Sequence, residues 1–216
     1  MKTQTNNSSA NVKSMKDMIL ETSKEEMVQL SRLFADMFGM PSEIELDHVR
    51  HFLYYAKSDL SIGKNLGALS AKSFLEQWNK DIDILFDHED PLILEESVYK
   101  AWTNEKNHPL RGARGHSHGD PAAHMEAVLA IFGISAESYL GGSPDSLATL
   151  FEFLGFLLEK RPSSEALTFC RDHLDWLDTL EEKAVELNAG MTLKCVICTA
   201  NIFVKYLIDK MEIHHG

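Results

Sequence analysis

From Lys24 onward apolar residues return every three or four positions with polar ones between them. Met27, Leu30, Phe34, Met37 and Phe38 form one stripe, Ser23 precedes it as an N-cap and Gly39 follows as a stop, which predicts a helix over 24–38. Pro41 and Ser42 open a second helical pattern over 43–57, with Ile44, Val49, Phe52, Leu53 and Ala56 facing inward. Gly63 and Gly67 mark a loose connection. Phe74, Leu75, Trp78, Ile82 and Leu85 then predict a third long helix from Ala71 to about His88. The stretch 89–119 holds Pro91, Pro109, Gly112, Gly115 and Gly119, sustains no period and reads as irregular. Periodicity returns in a helix over 122–132 stopped by Gly133. After Gly141-Gly142-Ser143-Pro144 comes a nearly all-round apolar helix, Leu147 to Leu158, that belongs at the centre of the fold. Ser163 and Ser164 offer caps for a helix through Leu174, and another runs through Leu177, Leu180, Ala184 and Leu187. Gly190 separates it from a last helix over 192–211. No segment alternates convincingly at period two, and no internal repeat argues for a solenoid. The expected fold is all-α: a flexible tail over 1–14, then one globular bundle of about eight to ten helices over 15–212, with an irregular loop at about 89–119.

Charge narrows the choice of partner. Thirty-three Asp and Glu against 21 Lys and Arg give a net charge of -12, the wrong sign for wrapping nucleic acid or lying on an anionic bilayer. A basic partner is more natural, and the scattered Lys and Arg residues supply no basic recognition helix for a transcription regulator. The most apolar stretches, 148–158 and 196–208, are interrupted by polar residues and fall short of the ~20 apolar residues of a spanning helix, so no membrane span is expected. The first dozen residues are polar and lack the apolar core of a secretory signal. Three cysteines, Cys170, Cys195 and Cys198, make an odd number without a disulfide framework, which fits a reducing compartment. A cytoplasmic location is expected.

Candidate chemistry is sparse. His108, His116, His118 and His124 cluster in and beside the glycine-rich loop, where imidazoles at short spacing suit a transition metal or simply a solvated loop. On the first reading the protein is a nickel or zinc carrier or sensor. Cys195-Val-Ile-Cys198 matches C-x-x-C but lies inside a helical pattern, where buried cysteines serve as small hydrophobes. There is no Gly-x-Ser-x-Gly elbow, no His-Glu-x-x-His and no phosphate-cradling loop, so neither an enzyme nor a bound cofactor is expected. The acids Asp81, Asp83, Asp87, Glu89, Asp90, Glu95 and Glu96 crowd one end of the third helix and the loop after it, either to attract a basic peptide or to keep the surface solvated. Nine methionines, Met37, Met40 and Met125 among them, suit adaptable contact surface or core filling.

Several short motifs in one order carry a resemblance. Glu96-Ser-Val-Tyr99, Gly119-Asp-Pro121, Pro144-Asp-Ser-Leu147 with Glu152-Phe-Leu154, and Phe169 with His173-Leu174 and Trp176 resemble the signature segments of the TorD/DmsD/NarJ family of redox-enzyme maturation chaperones. The Leu30 to Pro41 helix is similar to the family's opening. The resemblance implies an all-helical cytoplasmic chaperone without a catalytic reaction. Such a chaperone binds the twin-arginine signal peptide of a partner redox enzyme, or its apo form, until a cofactor such as molybdopterin is inserted, and it exists as a monomer or a domain-swapped homodimer. It also implies that Glu96, Tyr99, Asp120, Pro121, Asp145 and Leu147 line or support the client surface. Three departures are visible: Ser146 stands where the family carries histidine, His124-Met125-Glu126 stands where it has Glu-Val-Arg, and the loop before that helix is longer and holds the histidine cluster. They suggest a divergent branch.

Overall fold

The computed structural model describes residues 23–56, 66, 69–86, 89–135 and 142–215. The expected tail over 1–14 lies outside the described residues, as do Gly63, Gly67, Asp87, His88 and Gly141. The described helices are α1 (Lys24–Gly39), α2 (Leu46–Ala56), α3 (Ala71–Asp81), α4 (Glu96–Tyr99), α5 (Asp120–Ile131), α6 (Leu147–Lys160), α7 (Ser163–His173), α8 (Leu177–Glu186) and α9 (Met191–His215), with 3-10 turns at Pro41–Glu43 and Ile82–Phe86. Among the described residues the only extended pairings are two isolated bridges, Glu95 with Ser146 and Thr103 with Arg111. The fold is all-α, as the periodicity predicts.

The first helix starts where its capping box says it should. The Ser23 hydroxyl accepts the Glu26 N–H at 3.2 Å, and the Glu26 carboxylate accepts the Ser23 N–H at 2.8 Å. Its buried stripe packs chiefly on α6. Phe34 lies 5.1 Å from Phe151, and Ser31 donates to the Phe151 carbonyl at 2.7 Å. Gly155 also faces α1, where a Cβ would stand 3.4 Å from Arg32 Cγ, an ordinary contact. Phe34 also reaches Phe203 of α9, at 5.7 Å, so α1, α6 and α9 share one core.

Four expectations need correction. The second helix begins at Leu46 rather than Glu43, because Pro41–Glu43 forms a 3-10 turn and Ile44 turns extended to bury its side chain. His48 Nδ1 then accepts the Glu45 N–H at 3.2 Å and does the work of a cap. The third helix stops at Asp81, which is turned inward instead of out: its carboxylate accepts the Thr192 N–H at 2.8 Å and the Thr192 hydroxyl at 2.6 Å. It thereby caps α9 from another helix, and the chain tightens into the 3-10 turn that follows. Ser163 and Ser164 lie inside α7, whose N-cap is Pro162. The last helix runs to His215, and its Met191–Glu212 window is long and apolar enough to cross a membrane, yet 67% of that window is buried inside the fold. Its apolar surface is consumed by packing on α7, α8 and α3.

Cys170 and Cys195 are buried, consistent with a packing role, and burial pushes their thiols up to about 12 and about 11 from 9.0. Raised folded values mean that this stability is complete below pH 9 and is lost as the pH climbs toward 12, because only the unfolded thiols ionise in that window. The urea midpoint is therefore expected to fall between pH 8 and pH 11, and the fall should be smaller in Cys170→Ala. An equal slope in wild type and variant would refute this assignment.

Candidate functional site

The irregular segment after α3 is held in place by motif residues from distant parts of the chain. Glu96 is buried and pairs through Oε2 with His173 Nδ1 at 2.9 Å, while Tyr99 stacks on Trp176 with ring centroids 4.9 Å apart. Phe169 in turn lies 5.1 Å from His173, and Trp176 donates to the His173 carbonyl at 2.8 Å. The two halves of the motif set thus dock on one another. The Tyr99 hydroxyl donates to the Ile93 carbonyl at 2.7 Å, and burial raises its pKa well above the ordinary tyrosine value.

Asp145 joins this segment to the start of α6. Fully buried, it accepts the Ser97 N–H at 2.8 Å and the Ser143 hydroxyl at 2.6 Å, and it also accepts the Ser97 hydroxyl. Its carbonyl receives the Glu96 N–H at 3.0 Å, and the Leu147 N–H reaches the Leu94 carbonyl at 2.8 Å. Ser146, the departure from the histidine of the family motif, is the N-cap of α6 and accepts the Thr149 N–H at 3.2 Å. Asp145 and Leu147 are both fully buried, and Asp145 shapes a surface without being part of it.

Asp120 and Pro121 open α5 from the other side. Gly119 precedes them because any Cβ there would stand 2.6 Å from the Trp102 carbonyl oxygen. With Glu96, Lys100, His124, Asp172 and His173 they wall a polar cavity of about 380 Å³. Burial works against the Lys100 ammonium, but it contacts Glu96 at 2.8 Å and Asp175 at 2.5 Å, and these carboxylates hold its pKa above the usual lysine value. The buried Glu96 at its base is thus answered from within the fold by Lys100 and His173.

A different groove, of about 550 Å³, has the character of a binding surface. Its walls come from the α1–α2 corner (Phe38 to Glu43), the 3-10 turn (Leu85, Phe86), the extended stretch Pro91 to Glu95 and the start of α6 (Ser146 to Ala148). Phe86 is 60% exposed and Met40 39% exposed, which leaves two adaptable apolar groups at the rim. Glu95 Oε2 is buried with no hydrogen-bond partner among the described residues. A carboxylate oxygen withdrawn from water without a donor is costly, and because Glu95 as a residue is only half-buried, a turn of its side chain into the groove would let an incoming N–H satisfy it. Of the residues implied by the resemblance, only Leu147 touches this groove. Glu95 was legible only as one of seven acids, and nothing in the periodicity joins 38–43, 85–86, 91–95 and 146–148.

The histidines of the loop do not converge. His108 is stacked on Trp102 and its Nδ1 accepts the Leu110 N–H, His124 lies against His173 at 5.0 Å, and no group of three His, Cys, Asp or Glu among the described residues is placed to hold a metal ion. His116 and His118 are exposed.

A family model described as nitrate reductase delta subunit matches residues 61–187, more than half of the chain. The chain belongs to that family. The nitrate reductase delta subunit family comprises redox-enzyme maturation chaperones of the NarJ and TorD type, a chaperone family rather than a catalytic one, in agreement with the motifs. No curated protein and no solved structure matches the chain. The family match takes in α3 to α8 and three of the four groove walls, while α1, α2 and α9 lie outside it.

Proposed function

We propose that this chaperone acts in the cytoplasm on the precursor of a redox enzyme, holding its twin-arginine signal peptide in the groove between the α1–α2 corner and the Pro91 to Glu95 stretch until the cofactor has been inserted. The observation that carries the reading is the Glu95 carboxylate oxygen, without a partner among the described residues, in the wall of an apolar groove rimmed by Phe86 and Met40. An extended peptide presents backbone N–H groups and apolar side chains together, the two things this groove lacks. Family membership supports a redox-enzyme partner, and the net charge of -12 supports a cationic one. Neither the polar cavity nor the histidine loop offers a comparable surface.

Titration of a labelled twin-arginine signal peptide into the full-length protein tests this. Phe86→Ala is expected to weaken binding about tenfold, the cost of roughly 1.5 kcal/mol of lost apolar burial. Glu95→Gln should weaken it as well, whereas Val185→Ala, another exposed apolar position, should leave it unchanged. Wild-type protein that ignores the peptide, or equal losses at Phe86 and Val185, would sink the proposal.

A further inference from the structure

Helices α1 and α2 diverge outward from their corner and leave between them a cavity of about 660 Å³ that lies outside the matched family region. Leu30 and Leu33 form its floor, Glu26 and Asp36 stand on α1, and His48, His51, Tyr54 and Tyr55 stand on α2. Ten residues of helix separate the two acids, about 15 Å at 1.5 Å per residue. Tyr54 is 63% exposed, its ring nearly perpendicular to that of Tyr55 with centroids 5.1 Å apart, so much of its aromatic surface is open to a ligand. Among the described residues of the lining the one fixed cation, Arg32, is already paired with Glu159 at 2.6 Å, so Glu26 and Asp36 stand in excess there. Among the described residues His48 is the basic group that approaches Asp36, at 3.8 Å, and its Nδ1 is engaged as the acceptor for the Glu45 N–H.

The lining also places this cavity beside the client groove. Asp36 borders one and Phe38 to Met40 the other, so the two meet across the C-terminal turn of α1. We infer that the α1–α2 cavity is a second, cation-reading site that takes the arginine-bearing end of the same client peptide whose apolar stretch lies in the groove. The inference rests on the peptide reading above. Carboxylates at both ends with an exposed aromatic face between them match guanidinium groups through ion pairing and cation–π contact. An anionic ligand such as a nucleotide meets the wrong charge here. The order of parts, a basic end followed by an apolar run, is the order in which a twin-arginine peptide presents them.

Two labelled peptides test the site: one carrying two arginines ahead of an apolar stretch, the other with both arginines replaced by glutamine. At low ionic strength, where exposed charges are least screened, wild type is expected to prefer the arginine peptide about tenfold. The Asp36→Asn, Tyr54→Ser double variant, altered at exposed and half-exposed positions, should bring that preference below about threefold and leave the affinity for the glutamine peptide unchanged. Phe86→Ala should weaken both peptides alike and keep their ratio. A ratio that survives in the double variant, or that is lost in Glu95→Gln instead, overturns the second site while the groove stands. Wild type that binds neither peptide overturns the groove reading together with it.

Discussion

Asp145→Ala is expected to lower the unfolding free energy by about 3 to 5 kcal/mol, the range found when one partner of a buried charged network is removed. The substitution strips acceptors from the Ser97 N–H, the Ser97 hydroxyl and the Ser143 hydroxyl in a place water does not reach. It also frees the stretch before α4 from the start of α6, so the groove wall loosens along with the core. In thermal unfolding the loss corresponds to a Tm lower by roughly 10 °C for a chain of this size. Ser143→Ala should cost far less, because it removes a single donor and leaves the carboxylate two others. Asp120→Ala, at an exposed position where the carboxylate accepts the Asn104 N–H at 3.3 Å, should lower the unfolding free energy by under about 1 kcal/mol. If Asp145→Ala and Asp120→Ala unfold alike, Asp145 is not the joint described here.

Gly190→Ala is expected to cost about 2 to 3 kcal/mol. A Cβ at that position would come within 1.9 Å of the Asp81 carboxyl carbon. The acid cannot move aside without giving up Thr192 and its 2.6 Å bond from Gln77, so the substitution uncaps α9. Asp81→Ala should cost a similar amount for the same reason. Made together, the two should cost little more than either alone, since the clash and the cap involve one carboxylate. Additive losses in urea unfolding would show that Gly190 and Asp81 act separately.

Much of the helical framework is legible in the pattern of apolar positions. The stripe from Met27 to Phe38 with its Ser23 cap, and the all-round apolar run from Leu147 to Leu158, lead directly to the packed pair α1 and α6. The boundaries went astray where one side chain obeys a distant partner. Ile44 fits a helical period but is buried from an extended backbone, and Asp81 reads as an outward acid until Thr192 stands opposite it. The motif residues were legible as a set, and the structure shows Glu96 meeting His173 and Tyr99 meeting Trp176. That Asp145 and Leu147 lie inside was not legible, because the same Pro-Asp-Ser-Leu string serves an exposed loop or a buried joint. The groove and the α1–α2 cavity were invisible for a simpler reason: each is the space left between elements, and no local pattern records a space.

The cap that Asp81 places on α9 has a consequence for synthesis. Its acceptor and donor are 111 residues apart, and Phe203, which closes the core over Phe34, lies further along still. During synthesis, α1 and α6 can therefore pack on one another early, while Phe34 and the Asp81 end of α3 stay uncovered until residues 192 to 203 have emerged from the ribosome. Helix α9 is thus the closing step for the core described here, and a chaperone must itself wait for this late-made helix before that interior is sealed.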